Sequence, residues 1–133
     1  MIKDDLIQEM KETAKKASKN AYCPYSKFPV GAAVLTKEGR IFVGCNVENA
    51  SFGLTICAER NAIFGTIAQG QKDILAIVIF TPTEKPATTC GACRQVISEF
   101  NPRAEVYSFC NSKEFLHHNM HELLPNSFTS DFI

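Results

Sequence analysis

The 133-residue sequence predicts a single α/β domain over residues 1–133, built as a three-layer α/β/α sandwich around a mixed sheet of about five strands. The first observation is the order of the periodic segments, which alternates helices with strands. The second is the continuously apolar segment 74–81, which is typical of a strand covered on both faces. The third is the composition, because 45% hydrophobic and 21% charged residues are ordinary for a packed globular domain.

The first elements are a helix and a hairpin. Apolar residues recur at helical spacing over residues 4–22, and lysines gather near the end of this segment. Cys23 precedes a proline and avoids the helical conformation, so it ends the helix. Strand-like residues over 28–36 and 41–47 flank a turn at 37–40, and together they predict a β-hairpin.

Beyond the hairpin, the sequence predicts a polar loop over residues 46–52 and then alternating helices and strands. The helices have apolar residues at helical spacing, whereas the strands are short apolar runs. They are predicted over 57–69 (helix), 74–81 (strand), 91–100 (helix), 104–110 (strand), 114–118 (short strand) and 120–124 (one or two helical turns). This order predicts a mixed sheet with helices on its faces.

The distribution of charge limits the possible partners. Fourteen basic residues balance fourteen acidic ones, and no block rich in lysine and arginine gathers the positive charge. We therefore expect no nucleic acid polymer as a partner, and a small, nearly neutral substrate fits better.

No apolar run approaches the roughly 18 residues of a membrane span, so we expect no membrane partner. Without an export signal, the six cysteines are expected as free thiols or thiolates in the cytoplasm.

Two short stretches, 57–60 and 90–95, carry the candidate chemistry. Cys57, Cys90 and Cys93 offer three thiols, and three protein ligands with one vacant position are the usual arrangement of catalytic zinc. Each stretch opens a predicted helix, whose dipole favours thiolate over thiol. Cys90 and Cys93 share one helical face, so the pattern predicts one Zn²⁺ per chain on the three cysteines.

Charged residues beside these cysteines are candidates for proton transfer and for charge balance. Glu59 lies two residues after Cys57, in the first turn of the same helix. Because a site that activates water needs a proton carrier, we predict Glu59 as the catalytic acid and base. Three thiolates would leave a zinc site with a net negative charge, so Arg60 and Arg94 are predicted donors to sulfur. For both arginines, an ordinary surface position stays open.

The strings Thr-Ile-Cys-Ala-Glu-Arg at 55–60 and Cys-Gly-Ala-Cys-Arg-Gln at 90–95 resemble the signature of zinc-dependent nucleobase deaminases. With a cysteine in place of histidine at Cys57, residues 21–128 resemble the small homotetrameric cytidine deaminases of free nucleosides. The resemblance implies a cytidine-deaminase-like fold. It also implies hydrolytic deamination of cytidine and 2'-deoxycytidine to uridine and 2'-deoxyuridine, with release of ammonia, in pyrimidine salvage. Among the two arginines, it favours Arg60 as the sulfur donor.

The same resemblance implies the contacts with substrate. Asn46 and Glu48 would grip the ribose, Phe28 would lie against the pyrimidine ring, and backbone groups near Ala58 would orient the base. Phe128 matches the aromatic residue that closes the pocket in tetrameric relatives, in part across subunit boundaries, so a homotetramer is expected. The residues alone leave Asn46 and Glu48 equally well explained as turn residues and helix caps, and they favour Phe28 as a core residue.

Two positions depart from the family pattern. Thr89 stands where the family usually has proline before the first cysteine of the pair, so we expect a less rigid start to that helix. Phe52 stands where many relatives carry tyrosine, and it lacks the hydroxyl group that could donate a hydrogen bond. Neither position is a predicted zinc ligand, so they bear on substrate preference rather than on the chemistry.

Three alternatives to cytidine deamination stay open from the sequence. The first is a deaminase of another aminated nucleoside or analogue. The second is a structural zinc module with Cys45 or Cys110 as the fourth ligand, which would close the site to water. The third is a thioredoxin-like redox protein that uses Cys90 and Cys93, although it leaves the Cys57 stretch unexplained.

Overall fold

The computed structural model describes residues 2–133, and its elements follow the predicted order. Two short 3-10 turns, Phe52–Leu54 and Ser130–Phe132, accompany the main elements. The helices and strands are α1 (Asp4–Ser18), β1 (Gly31–Thr36), β2 (Ile41–Cys45), α2 (Ala58–Ala68), β3 (Ile74–Phe80), α3 (Gly91–Phe100), β4 (Glu105–Phe109), β5 (Phe115–Asn119) and α4 (Met120–Leu123). The predicted short strand and short helix near the end of the chain are confirmed.

The first helix ends earlier than predicted because the segment after it pairs with the loop that follows β2. The N–H of Tyr22 donates to the carbonyl of Asn46 at 3.0 Å, and the N–H of Glu48 donates to the carbonyl of Tyr22 at 2.8 Å. These two bonds draw the chain away from the helix axis beyond Ser18. Local periodicity carries no information about such a distant partner.

The five strands form one mixed sheet in the order β2-β1-β3-β4-β5. The central strand β3 runs antiparallel to β1 and parallel to β4, while the outer pairs β1–β2 and β4–β5 are antiparallel. Six of the seven residues of β3 are buried, as expected for a strand covered on both faces. The predicted mixed sheet of about five strands is therefore confirmed.

Helices cover both faces of the sheet, as the three-layer prediction requires. On one face, α1 packs against the side chains of β1, β3 and β4 that point towards it, and this layer contains Ile7, Met10, Ala14, Ala33, Leu35, Ala76, Val78, Phe80 and Phe109. On the other face, α2, α3 and α4 enclose the main core, which contains Ala32, Val34, Ala58, Ala62, Ile63, Ile74, Ile77, Ile79, Ile97, Ala104, Val106 and Met120. Among residues 2–133, no helix is both long and apolar enough to cross a membrane.

One edge of the sheet gathers the chain segments that carry the candidate residues. Gly31, which opens β1, pairs with Cys45 at the end of β2 and with Phe80 at the end of β3. A parallel crossover from β3 to β4 then places the start of α3 at this same edge. The edge at the carboxyl end of a strand that leads into a crossover helix is a common place for a ligand site.

Candidate active site

The three cysteines predicted as zinc ligands lie together at the starts of two helices. Cys57 and Cys90 hold the N-cap positions of α2 and α3, and Cys93 lies in the first turn of α3. All three sulfur atoms lie within 4.8 Å of one another, and those of Cys57 and Cys90 are 3.7 Å apart. A tetrahedral ion with Zn–S bonds of about 2.3 Å separates its sulfur ligands by about 3.8 Å. The donor set and its spacing therefore fit zinc.

The pKa values of two of these thiols shift in opposite directions, so that Cys57 loses its proton more easily and Cys93 keeps its own. The pKa of Cys57 is lowered to about 5, first because the Cys93 thiol donates a hydrogen bond to it and then because Arg60 lies beside it. The pKa of Cys93 is raised, since its proton stabilises the Cys57 thiolate and since the side chain is fully buried. Cys57 thus carries negative charge already in the metal-free protein, which suits a cation.

The two arginines predicted as sulfur donors take different places. The Nη2 atom of Arg60 lies 3.5 Å from the sulfur of Cys57, within hydrogen-bond distance. The guanidinium of Arg94 points elsewhere, and its three nitrogens donate to the carbonyl of Thr89 at 2.9 Å, the carbonyl of Leu123 at 2.9 Å and the hydroxyl of Thr88 at 3.1 Å. The predicted contact between Arg94 and sulfur is not made in this structure, because two backbone carbonyl groups and the hydroxyl of Thr88 occupy the guanidinium. Arg94 instead ties the loop before Cys90 to the end of α4.

Glu59 lies beside the sulfur cluster and is almost fully buried, with 5% of its surface exposed. Burial raises the pKa of this carboxyl group, and the hydroxyl of Thr89 opposes the rise by donating to Oε2 at 2.7 Å. Sequence reasoning did not find this contact, because it treated Thr89 only as a change in backbone rigidity. The sequence does place a hydroxyl group directly before Cys90, which is a possible hydrogen-bond donor at the site. It does not show that Glu59, 30 residues earlier, faces this hydroxyl group.

A cavity of about 410 Å³ opens above Glu59, Cys57 and Cys90. This volume lies in the range of small-molecule sites. The cavity brings together most of the predicted site residues, namely Phe28, Asn46, Glu48, Cys57, Ala58, Glu59 and Cys90. Its wall also includes residues that the sequence did not single out, namely Ser26, Val30, Thr55, Ile79, Thr81, Ala87 and Thr88. Most of the cavity is lined by apolar atoms, which is usual for a site that binds a small molecule.

The two residues predicted at the ribose also hold the wall of the cavity. Asn46 accepts from the N–H of Val30 at 2.8 Å and donates to the carbonyl of Phe28 at 2.9 Å. The Oε1 atom of Glu48 accepts from the N–H groups of Tyr25 and Ser26 at 2.9 and 3.2 Å. Both polar side chains therefore fix the segment that carries Phe28 at the edge of the cavity.

Phe128 lies apart from this cavity in the single chain. Its ring stacks on Phe132 with the centroids 5.6 Å apart, and 60% of the residue is exposed. Its carbonyl accepts a hydrogen bond from Gln95 of α3 at 3.0 Å. The structure thus attaches Phe128 to the same helix as two of the cysteines without bringing it into the pocket.

Comparison with known proteins identifies the family. Residues 4–109 match the family described as "Cytidine and deoxycytidylate deaminase zinc-binding region". The chain belongs to this family. Cytidine deaminase from Halalkalibacterium halodurans is 43% identical over 132 residues, covering 98% of this chain and 97% of the relative. Cytidine deaminase from Burkholderia pseudomallei, a solved structure, superposes with a TM-score of 0.87 at 44% identity, covering 91% of this chain and 98% of that one.

A third relative in this deaminase family has a different name. Blasticidin-S deaminase from Bacillus cereus is 32% identical over 112 residues, covering 78% of this chain and 79% of the relative. Deaminases named for two different compounds thus share extended similarity with this chain. The family and the fold agree with the expectations drawn from the sequence, whereas the substrate needs a separate argument.

The zinc-binding character of the family agrees with the sulfur cluster, and the geometry disfavours a closed structural site. No fourth cysteine, histidine or carboxylate joins the cluster within residues 2–133. Cys110, a candidate fourth ligand, lies by Ser112 and the carbonyl groups of Glu84 and Glu114. Cys45, the other candidate, also lies outside the cluster. Three ligands leave one position for water or substrate, which is the pattern of catalytic zinc.

Proposed function

We propose that this chain is a zinc-dependent cytidine deaminase. It hydrolyses the C4 amino group of cytidine and 2'-deoxycytidine to give uridine and 2'-deoxyuridine with release of ammonia, in pyrimidine salvage. The observation that carries the proposal is the buried carboxylate of Glu59 beside three clustered cysteine sulfurs, at a cavity of about 410 Å³ that is lined by Glu59, Cys57 and Cys90. A metal that activates water and an adjacent proton carrier are the two requirements of hydrolytic deamination.

Cys57, Cys90 and Cys93 hold the zinc, which when bound supplies the Lewis acidity that makes water a nucleophile near neutral pH. Glu59 takes a proton from the attacking water and delivers it to N3 while the water oxygen bonds to C4 of the ring. Glu59 then moves the proton of the new C4 hydroxyl group to the amino group. The C4–N4 bond breaks, ammonia leaves, and the C4 carbonyl of uridine remains. Arg60 stabilises the negative charge on Cys57 throughout.

The wall of the cavity binds the nucleoside. Phe28 packs against the pyrimidine ring, and backbone groups at Ala58 orient the base. Glu48 uses only Oε1 for its two backbone bonds, so Oε2 is left to accept from a ribose hydroxyl. Asn46 keeps one amide hydrogen and one lone pair after its two bonds, which suits it for the neighbouring sugar oxygen.

Residues 1–133 act as one catalytic domain that assembles into a homotetramer in the cytoplasm. Support comes from the exposed aromatic and aliphatic side chains near the cavity mouth and the C-terminal segment, namely Tyr25, Phe52, Leu54, Phe128 and Phe132. In the assembly, Phe128 closes a pocket. The six free cysteines are compatible with a reducing compartment. Sedimentation equilibrium at micromolar concentration tests the assembly, and a stable, fully active monomer would contradict it.

The decisive experiment for the activity combines zinc analysis with an absorbance assay on cytidine, 2'-deoxycytidine, free cytosine and adenosine. We expect about one zinc per chain and ammonia release from the two cytosine nucleosides. Glu59→Gln keeps the zinc, and its turnover falls by about 10²–10⁴-fold because the proton carrier is lost. Near-normal turnover of that variant would remove Glu59 from the mechanism. Zinc without ammonia release from any of the four compounds would reject the proposed activity.

Deamination of a nucleoside analogue is the second candidate, because the Bacillus cereus relative at 32% identity is a blasticidin-S deaminase. The sulfur cluster and Glu59 would serve that reaction equally well, since both substrates carry an aminated pyrimidine ring. The walls of the cavity, rather than its metal centre, would then set the preference. Adding blasticidin S to the same assay separates the two candidates by their kcat/KM values.

A further inference from the structure

Thr89 makes a contact that the proposed function does not assign. It is the last residue before Cys90, only 1% of it is exposed, and its hydroxyl donates to Oε2 of Glu59 at 2.7 Å. The partner carboxylate is itself 5% exposed, so water competes little for this hydrogen bond. Proline, the residue that the resemblance leads us to expect here, has no hydroxyl group and could not make this contact.

The backbone of Thr89 is held in place from a second direction. Its carbonyl accepts from Nε of Arg94 at 2.9 Å, and the same arginine reaches Thr88 and Leu123. The hydroxyl therefore belongs to a segment with little freedom to turn. A donor on a fixed segment restricts the rotation of the carboxylate that it contacts.

We propose that Thr89 is a positioning residue for the reaction, because its hydroxyl holds Oε2 of Glu59 and makes Oε1 the oxygen that exchanges protons with the substrate. This inference rests on the proposed deaminase function. The hydrogen bond persists through the cycle, since Oε2 stays an acceptor when the proton is carried on Oε1. Proton transfer to N3 and then to the amino group depends on where the carboxylate lies, and the hydrogen bond from Thr89 restrains its position.

The test compares Thr89→Val, which keeps the shape but removes the hydroxyl, with Thr89→Ser, which keeps the hydroxyl. We expect kcat of the valine variant to fall by about tenfold to a hundredfold, as for a misplaced catalytic group. KM should stay within about twofold, because the lost restraint acts mainly in the transition state. The serine variant should recover most of the rate. Zinc content should equal that of the unmodified enzyme in both variants.

A binding measurement gives a readout that does not depend on turnover. The probe is a nucleoside whose saturated ring carries a hydroxyl group on a tetrahedral C4, and uridine is its planar control. By calorimetry, the valine variant should lose affinity for the tetrahedral probe by about the factor lost in kcat, with little change for uridine. If the valine variant does not fold, Thr89→Ala replaces it.

Several outcomes would overturn the inference while leaving the deaminase intact. Unchanged kcat in Thr89→Val would show that the hydroxyl does nothing for Glu59. An equal loss in the valine and serine variants would assign the effect to shape, and a loss of zinc would assign it to the position of Cys90. Failure of the proposed function itself looks different, because the unmodified enzyme would then release no ammonia from cytidine.

Discussion

Gly44 of β2 lies directly against the backbone of Ala62 in α2. A Cβ atom on Gly44 would lie 2.4 Å from the nitrogen of Ala62 and 2.7 Å from the carbonyl oxygen of Ala58. Both neighbours are backbone atoms of a helix, so they cannot move aside as a flexible side chain would. The absence of a side chain at this position therefore sets how closely α2, which carries Glu59, packs on the sheet.

Replacing Gly44 by alanine should push α2 outward and disturb the metal site at its start. We expect the free energy of unfolding to fall by about 1–3 kcal/mol, as for an overpacked core. Zinc affinity should fall as well, because Cys57 caps the displaced helix. Urea unfolding and competition with a zinc chelator measure the two effects. Zinc affinity and stability equal to those of the unmodified chain would show that the helix position is not set here.

Gly65 in the same helix provides the matched control. It is exposed, and a Cβ atom there would meet nothing within 4 Å. Gly65→Ala should therefore stabilise the protein by roughly 0.5–1 kcal/mol, because alanine loses less backbone entropy in a helix. Gly44→Ala should lower the free energy of unfolding, whereas Gly65→Ala should raise it. This difference separates the effect of packing against the helix from the general effect of replacing glycine by alanine.

Local sequence signals predicted the elements around the site well. The second site helix was predicted over 91–100 and has these bounds in the structure, and α2 differs from its prediction by one residue at each end. The continuously apolar run over residues 74–81 predicts a strand covered on both faces, and β3 is buried in this way. Periodicity and spacing act over a few residues, so they could identify the helices and the three cysteines that their first turns present.

Contacts between distant segments could not be predicted in the same way. Arg94 was expected at the sulfurs because it follows Cys93, but its side chain turns to the carbonyl of Leu123, 29 residues later. Thr89 meets Glu59 across 30 residues of chain. The tertiary fold decides which acceptor a long side chain reaches. A single sequence does not show which distant segments lie next to each other in the fold.

The three hydrogen bonds of Arg94 should contribute measurably to the free energy of unfolding. Lysine keeps the charge of Arg94 but cannot reproduce a planar fork that reaches three acceptors. We expect Arg94→Lys to lower the free energy of unfolding by about 1–3 kcal/mol, since partly buried acceptors lose their donors. Denaturant titration of the zinc-loaded enzyme measures the change.

Arg103 serves as the control for this substitution. It is exposed and lies in the turn between α3 and β4, so Arg103→Lys should change stability by no more than about 0.5 kcal/mol. Equal stability of the two lysine variants would mean that the fork of Arg94 contributes nothing beyond its charge. A loss confined to Arg94→Lys would establish the link between the loop before Cys90 and the end of α4.

The metal-free protein should carry one unusually reactive thiol. The pKa of Cys57 is lowered to about 5, chiefly by the hydrogen bond from Cys93 and further by Arg60, so Cys57 is a thiolate above that pH. Burial, and to a lesser extent the neighbouring Cys23, raises the pKa of Cys45, so Cys45 stays a thiol at neutral pH. Alkylation by iodoacetamide should thus level off for Cys57 by about pH 6–7 but keep rising for Cys45 up to pH 9 and above.

Mass spectrometry of peptides from chelator-treated protein follows both cysteines in one sample, with Cys45 as the internal control. Zinc should suppress alkylation of Cys57 alone among the two, because coordination occupies its lone pair while Cys45 lies outside the sulfur cluster. Arg60→Gln should shift the rise of Cys57 to higher pH, since one of the groups that stabilises the thiolate is lost. Parallel pH profiles for Cys57 and Cys45 would contradict this prediction. They would show that Cys57 loses its proton only when zinc binds.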